Sequence, residues 1–201
     1  FYTAIRDADE RGGNVIIPTF ALERAQELLF YLREGSERGE FASPLRIFLD
    51  SPMAISATEI FRRHADAMQP GVAEMLRHGQ DPFHPPELHF TREASESMDL
   101  NRVRSGAIIM AGSGMCTGGR VRHHLRHNLA HRDCSVIFVG FAAQGTLARI
   151  IVEGAKSVKL FGREIPVRAK IYTINGFSAH AGRQDLIDWH RRTGSPSVTF
   201  L

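Results

Sequence analysis

Cysteine, tryptophan and long apolar runs are the scarce features of this sequence. Its 201 residues include one tryptophan and two cysteines, Cys116 and Cys134, which form no CxxC pattern. Two cysteines are too few for a disulfide framework, which excludes the class of disulfide-stabilised secreted domains. No apolar stretch is long enough to span a bilayer, and no signal-peptide pattern is present. We therefore expect a cytoplasmic protein without a membrane partner.

A strong charge of either sign is also missing. The formal net charge is +3 and the sequence pI is about 9.2, with arginine supplying most of the positive charge. Arginine binds phosphate oxygens through paired hydrogen bonds, so this balance suits a polyanionic partner without requiring one. The hydrophobic content of 43% is enough for a substantial core and argues against a disordered chain. Because the sequence starts at Phe1 and not at a methionine, we expect a piece of a longer protein.

Short apolar runs alternate with helical patterns through most of the chain. Strands are predicted at residues 14–18, 45–49, 87–90 and 135–139 and in the apolar run that follows Gly106. Helices are predicted from residue 20 onward and at 54–67, 72–77, 95–102, 121–129 and 147–152. Parallel strands joined by helical crossovers place their strand-to-helix turns at one edge of a sheet. The predicted fold is therefore a three-layer α/β/α domain with a largely parallel sheet and a binding site at its carboxyl edge.

The pattern changes after residue 155. Three short strands at 158–161, 164–167 and 169–173 are predicted to pair in antiparallel fashion. A loop of small residues from Asn175 to Gly182 follows, then a helix through Trp189 and a last strand at 198–201.

The loop from Gly112 to Arg120 is the feature around which the other motifs are arranged. It follows a buried strand and precedes a helix, and its glycines allow sharp turns. Free backbone N–H groups at the start of a helix, together with the helix dipole, favour an anion such as phosphate. A dinucleotide-binding turn is a rival interpretation, but the next strand ends in Gly140-Phe141 and lacks the acidic residue that binds ribose. A tight turn with no ligand stays open as well.

Two further side chains are candidates for contact with a phosphate group. Arg24 lies close to the predicted sheet edge, where it either reaches a backbone phosphate or pairs with a neighbour such as Glu27. His180 lies in the small-residue loop, and an imidazole with a pKa of about 6.5 acts as an acid or a base near neutral pH. From the residues alone, an incidental loop histidine remains the alternative.

Histidines are concentrated in and just after the predicted helix 121–129. A spacing of four residues puts some of these side chains on one helix face, but no carboxylate or cysteine shares the pattern and HExxH is missing. We therefore predict a solvated basic face and no metal site for His123, His124, His127 and His131.

Five runs of the sequence match a known family in the family's order. They are PTFALERAQELL from Pro18, DSPMA from Asp50, AGSGMCTGGR from Ala111, GFAAQGT from Gly140 and NGFSAHA from Asn175. On these runs the chain resembles the β-CASP region of RNA-processing metallo-β-lactamase-fold nucleases. It is most similar to bacterial and archaeal relatives of the cleavage and polyadenylation specificity factor endonuclease subunit.

The resemblance implies a division of the chain and an activity. Residues 1–155 would form the β-CASP domain, and residues 156–201 would return toward a metallo-β-lactamase domain of the same chain. The full-length protein would be a metal-dependent ribonuclease that hydrolyses RNA phosphodiester bonds as an endonuclease, a 5'–3' exonuclease or both. Two Zn²⁺ ions would be held by an HxHxDH motif outside this sequence, so the fragment alone should be inactive. RNA is the expected substrate, and a homodimer is left open.

The resemblance also assigns roles to individual residues. His180 would be catalytic, contacting the scissile phosphate and donating a proton to the leaving oxygen. The expected substrate-binding residues are Arg24, Ser113, Gly114, Met115, Gly118, Gly119, Arg120 and Ser178. The match departs from the family at Glu23, where many relatives carry glycine, and at Gly182, where an aspartate is frequent. We expect both departures to be tolerated, Glu23 because it would occupy an exposed helix position.

Two other functions remain open at this point. A stand-alone RNA-binding or scaffolding module of an RNA-processing complex would keep the same loops without a catalytic partner. A DNA-directed nuclease is disfavoured because the GSGM and GFSAH runs resemble the RNA-processing branch.

Overall fold

The computed structural model describes residues 1–41, 45–177, 181–194 and 196–200. Its strands are β1 (Val15–Pro18), β2 (Arg46–Asp50), β3 (Leu88–Phe90), β4 (Ala107–Ala111), β5 (Ser135–Val139), β6 (Ser157–Leu160), β7 (Arg163–Pro166) and β8 (Lys170–Ile174). Its helices are α1 (Tyr2–Glu10), α2 (Arg24–Glu37), α3 (Pro52–Arg63), α4 (Pro70–Arg77), α5 (Ala94–Leu100), α6 (Val121–Asn128), α7 (Leu147–Val152) and α8 (Arg183–Arg192). The predicted alternation of strands and helices up to residue 155 is confirmed.

Six strands form one parallel sheet in the order β3-β2-β4-β1-β5-β8. Neighbouring side chains along a strand point to opposite faces of the sheet, and both faces are covered, since every residue of β1 and β4 is buried. In β1, Ile17 packs in a core layer with α1, α2 and α3, whereas Ile16 packs in a second layer with α5, α6 and α7. The three-layer α/β/α architecture with a parallel sheet is therefore confirmed.

The segment after residue 155 differs from the prediction. β6 and β7 form an antiparallel hairpin, but β8 joins the main sheet parallel to β5. The expectation that all three short strands pair in antiparallel fashion is therefore wrong for β8. The last strand predicted at 198–201 is not formed at 198–200, which have no regular secondary structure, and Leu201 lies outside the described residues.

Two helices have different boundaries from those predicted. α2 begins at Arg24 and not near Phe20, because a turn precedes it. The helix expected at 54–67 ends at Arg63 and is followed by a separate 3-10 turn, Ala65–Ala67. The N-cap of α3 is Ser51, whose hydroxyl accepts a hydrogen bond from the Ala54 amide at 3.3 Å.

Both cysteines are buried and free, as expected for structural thiols. Burial raises the pKa of the Cys116 thiol to about 12. Within the described ranges, no helix is long and apolar enough to cross a membrane.

The first helix is attached to the last strand of the sheet through Asp7. Its carboxylate accepts hydrogen bonds from the Tyr172 hydroxyl, from Arg11 and from Lys170 Nζ, the last at 3.1 Å. The hydrogen bond from Tyr172 is the largest of the influences on this carboxyl and, with those from Arg11 and Lys170, lowers the pKa of Asp7 to about 2. α1 and β8 are thereby joined although they are far apart in the chain, since the hydrogen bond from Lys170 to Asp7 spans 163 positions.

Asp7 should therefore make the stability of the protein depend on pH in the acid range. Because the pKa is lower in the folded state than the ordinary value of 3.8, the contribution is complete above about pH 4 and is lost as the pH falls toward 2. Urea unfolding of wild type and Asp7→Asn between pH 2 and 5 measures it. The variant should lose less stability than wild type over that interval, and parallel pH profiles would contradict the assignment.

Candidate functional site

The carboxyl ends of the parallel strands meet at one edge of the sheet, as predicted. β1 and β4 are neighbours, but the chain leaves β1 toward α2 on one face and leaves β4 toward α6 on the other. The divergence of the two connections opens a crevice between the strand ends, which is where ligands bind in open α/β sheets. The turns after β1, β2 and β4 line a cavity of about 510 Å³ there, the Gly-loop pocket, whose lining includes Thr19, Phe20, Ser51, Ser113, Gly119 and Arg120.

A second cavity of about 730 Å³ lies between the turns that follow β1, β4 and β5. We call it the aromatic pocket; its lining includes Phe20, Leu22, Arg24, Met115, Phe141 and Gly182. Phe20 lines both cavities, so the two are adjacent. The sheet edge thus carries a continuous concave surface.

The Gly-loop, residues 112–120, is held in shape by its own backbone. The Ser113 amide donates to the Gly118 carbonyl at 3.3 Å, and the Val121 amide donates to the Gly112 carbonyl at 3.0 Å. The first amide of α6 is therefore already bonded, unlike the free donor expected from the sequence. Within the described part of the chain, the amides of Gly114 and Met115 donate to no acceptor, and they remain as candidates for binding an anion.

Gly119 is required for this loop on two grounds. Its φ is +76°, and a Cβ built on it would lie 2.3 Å from the Gly112 carbonyl oxygen. Gly118 differs, since a Cβ there would meet nothing within 4 Å. Gly114 lies against the Phe20 ring, with only 2.8 Å between a built Cβ and a ring carbon. The three glycines thus have different structural roles.

A buried carboxylate, Asp50, lies behind the Gly-loop pocket. Its Oδ1 accepts from Arg120 Nη1 at 2.8 Å, and its Oδ2 accepts from Ser97 Oγ at 2.6 Å and lies 2.6 Å from His124 Nε2. Burial raises the pKa of Asp50, but the hydrogen bonds from His124, Ser97 and Arg120 outweigh it, so the pKa lies below its ordinary value. We call these four residues the Asp50 cluster.

The Asp50 cluster was not found from the sequence, and it corrects the solvated-face prediction for His124. That side chain is fully buried, whereas His123, His127 and His131 are exposed as expected. The available signal was the spacing of four residues between Arg120 and His124, which places both on one face of α6. Asp50, which both side chains contact, lies 70 residues before Arg120 in the chain.

Arg120 connects the Asp50 cluster to the turn after β3. Its guanidinium also donates to the carbonyl oxygens of Thr91 at 3.0 Å and Arg92 at 2.7 Å. Arg120 is the N-cap residue of α6 and directly follows Gly119. The described contacts of Arg120 therefore fix the end of the Gly-loop, and its contact with phosphate stays a prediction.

The other predicted site residues have the following positions. Ser113 lines the Gly-loop pocket, and Met115 and Arg24 line the aromatic pocket. Arg24 forms an ion pair with Glu27, which is one of the two possibilities that the sequence left open for it. Its guanidinium lies 5.6 Å from the centre of the Phe177 ring. The predicted catalytic His180 and the predicted substrate-binding Ser178 lie outside the described residues, so their roles stay predictions.

The turn before α2 explains the departure at Glu23. Its φ is 61° and its ψ is −61°, and the Arg24 amide donates to the Leu22 carbonyl at 2.7 Å across it. This is a γ-turn with positive φ, which is rare and strained for a residue with a side chain. Glu23 is therefore not an ordinary helix position, and the reason given for tolerating glutamate there is wrong.

Replacing Glu23 with glycine should stabilise the protein. Removal of the Cβ relieves the positive-φ strain by about 1 kcal/mol. Urea unfolding of Glu23→Gly and Glu23→Ala separates this effect from loss of the carboxylate, because alanine keeps the Cβ. Equal stabilisation by both substitutions would show that charge, not backbone strain, matters here.

Comparison with known proteins bears on this arrangement of turns. The sequence model of the Beta-Casp domain matches residues 25–151, which is more than half of the chain. The chain belongs to the Beta-Casp family. A second match, to the Zn-dependent metallo-hydrolase RNA specificity domain, covers residues 164–201 of this Beta-Casp chain. The predicted division at residue 155 stays a prediction.

Several curated proteins are similar to this Beta-Casp chain over nearly all of its length. Ribonuclease TTHA0252 of Thermus thermophilus is 39% identical over 191 residues, which cover 95% of the chain and 43% of that protein. Transcription termination factor FttA of Methanocaldococcus jannaschii is 34% identical over 194 residues, covering 94% and 30%. An RNase J-like protein of the same organism is 33% identical over 201 residues, covering 98% and 44%. The chain thus spans less than half the length of these relatives.

The described residues do not themselves provide a zinc site. Among them, no three His, Cys, Asp or Glu side chains are grouped so that they could hold a metal ion. The buried pair of Asp50 and His124 is bonded to Arg120 and Ser97 instead, and a cationic guanidinium on the same carboxylate is incompatible with a divalent ion there. The donors among the described residues therefore do not fit zinc.

Proposed function

We propose that this chain is the RNA-binding part of a zinc-dependent ribonuclease that hydrolyses RNA phosphodiester bonds as an endonuclease, a 5'–3' exonuclease or both. The observation that carries the proposal is the meeting of the turns after β1, β2, β4 and β5 around two adjoining pockets at one sheet edge. The match to an RNA specificity domain and the ribonuclease relative support RNA as the substrate.

RNA would lie along this edge and be recognised mainly through its backbone. The amides of Gly114 and Met115 would face phosphate or ribose, with Ser113 nearby and Gly118 and Gly119 giving close access. Arg24 and Arg120 would add positive potential, although each already has a carboxylate partner. Because phosphate contacts release counterions, affinity for RNA should fall steeply as salt is raised.

His180, with Ser178 two residues before it, would serve the reaction at the same edge. Ala181 and Gly182 line the aromatic pocket, which supports a position of the preceding loop beside the bound strand. A protonated imidazole within hydrogen-bond reach of the leaving oxygen would donate a proton to it. The two zinc ions would be held by residues outside this sequence, in a metallo-β-lactamase domain of the same chain. A cytoplasmic location and a homodimer remain part of the proposal.

The intact protein and a labelled single-stranded RNA test the proposal. His180→Ala should lower kcat roughly 100- to 10,000-fold while the Kd for RNA changes little, since the side chain acts as a proton donor. The exposed His131→Ala is the matched control and should keep wild-type kcat. Cleavage that survives both the His180 substitution and metal chelation would overturn the proposal.

The second candidate is a non-catalytic RNA-binding or scaffolding module. It is favoured by the FttA relatives, whose name refers to transcription termination and not to cleavage. RNA binding without any turnover by the intact, zinc-loaded protein would decide for this candidate.

A further inference from the structure

The aromatic pocket has a feature that backbone recognition does not use. Two phenylalanine rings on separate turns stand exposed at its wall, Phe20 at 49% and Phe141 at 68% of their full accessible surface. Leu22, also exposed, and Met115 complete the apolar lining. Large apolar side chains grouped at the surface of a concave site mark a binding surface.

The turns around the two rings fix where the rings lie. Phe20 lies on Gly114, where no side chain intervenes. Phe141 follows Gly140, whose φ of +90° directs the turn, and it stands between the aromatic pocket and a smaller cavity of about 390 Å³. Met115 connects the turn after β4 to the segment after β5. Its Sδ accepts a hydrogen bond from the Ala143 amide at 3.3 Å, and its carbonyl accepts one from the Ala148 amide at 3.2 Å. The rings therefore have a fixed platform.

The volume of the aromatic pocket and the polar groups beside it indicate what kind of ligand fits there. Its volume of about 730 Å³ lies within the range of roughly 300–1,000 Å³ that is usual for small-molecule sites. Arg24 and Glu23 both lie on the wall, and Arg24 is paired with Glu27, so the charged side chains there largely balance. The unbonded amides of Gly114 and Met115 beside the apolar lining suit a ligand that is flat and apolar in one part and anionic in another. A nucleotide unit of a polyanionic strand has this composition.

We propose that the aromatic pocket binds an unpaired base of single-stranded RNA, stacked on Phe141 and bordered by Phe20. This inference rests on the proposed function and adds the form of the substrate. A base can reach an aromatic ring only when it is out of a duplex, so the nucleotide bound here must be unpaired. The pocket is also bordered by Ala181 and Gly182.

Substitutions at Phe141 in the intact protein test the inference. Phe141→Ala and Phe141→Leu should raise the Kd for a short single-stranded RNA about 5- to 100-fold, and Phe141→Trp should retain wild-type affinity, because base stacking requires a π-face. Met98→Ala is the matched control, since Met98 is equally exposed at 68% but does not line the pocket. The melting temperatures of all variants should stay near the wild-type value, because these side chains are exposed.

A 2-aminopurine base placed in turn at each position of the RNA provides the second measurement. Its fluorescence should be quenched at one position in wild type and Phe141→Trp but not in Phe141→Ala. RNA that binds wild type and the alanine variant equally, with no quenched position, would overturn the inference and leave the proposed function standing. Failure of wild type to bind RNA would overturn both. Equal binding by Phe141→Leu would reduce the pocket to a non-specific apolar contact and also count against the inference.

Discussion

Replacing Asp50 with asparagine is expected to lower the free energy of unfolding by about 3–5 kcal/mol. The substitution keeps the size of the side chain but removes the charge that Arg120 and His124 face. Asp50 is fully buried, and one asparagine atom would become an N–H₂ donor directed at other donors. The loss of one partner of a buried charge pair is more damaging than the pair itself is stabilising.

Urea unfolding followed by circular dichroism measures the effect. The control is Asp99→Asn, which removes an exposed ion pair of 3.2 Å with Arg102 and should change stability by less than about 1 kcal/mol. The pH profile gives an independent test. Because the pKa of Asp50 is lower in the folded state, its contribution is present above the unfolded pKa of about 3.9 and is lost as the pH falls through the folded value. An Asp50→Asn variant as stable as the control would show that the Asp50 cluster does not hold the sheet edge together.

The Gly119→Ala substitution is expected to destabilise the protein by about 2–5 kcal/mol. About 1–2 kcal/mol comes from positive φ in a residue with a Cβ, and the remainder comes from displacing the Gly112 carbonyl, which lies 2.3 Å from the built atom. Movement of Gly112 also weakens its hydrogen bond with the Val121 amide, which fixes the start of α6. We therefore expect reduced RNA binding as well as reduced stability.

Gly118→Ala is the matched control for this substitution. It adds the same methyl group one residue earlier in the loop, at a position with nothing within 4 Å. Thermal unfolding should remain close to wild type, so this variant is a control for stability alone. If the two alanine variants behave alike, the loop adjusts its backbone freely and does not form a preorganised site.

Much of the fold follows from local sequence signals. The apolar runs gave the core strands, and the glycine-rich turns marked where strands end, because these features depend on residues close together in the chain. The convergence of turns at one edge followed from the general geometry of parallel sheets. What failed were features that depend on distant partners. The pairing of β8 with β5 could not be read from β8 itself, since short strands pair in either direction.

The site was predictable to a similar degree. Ser113, Met115 and Arg24 were placed correctly at the sheet edge because they follow strands in the sequence. The burial of His124 was missed because its partner, Asp50, is at the end of β2, far from α6 in the sequence. A histidine on a polar helix normally faces water. The strained turn at Glu23 was missed because glutamate gives no sign of a positive φ. Phe20 and Phe141 were in the matched motifs, but their exposure is a property of the fold alone.

The position of β4 between β1 and β2 has a consequence for synthesis of the chain. Among the strands that the structure describes, β1 pairs with β4 and β5 alone, so its backbone groups have none of these partners until residue 111 has left the ribosome. The intervening residues can form β2, β3 and their helices. The centre of the sheet cannot form until β4 has been made, because β4 lies between β2 and β1. During translation, β1 and the apolar face of α2 therefore stay unburied until β4 is made, and this is the period in which the chain is most prone to aggregate.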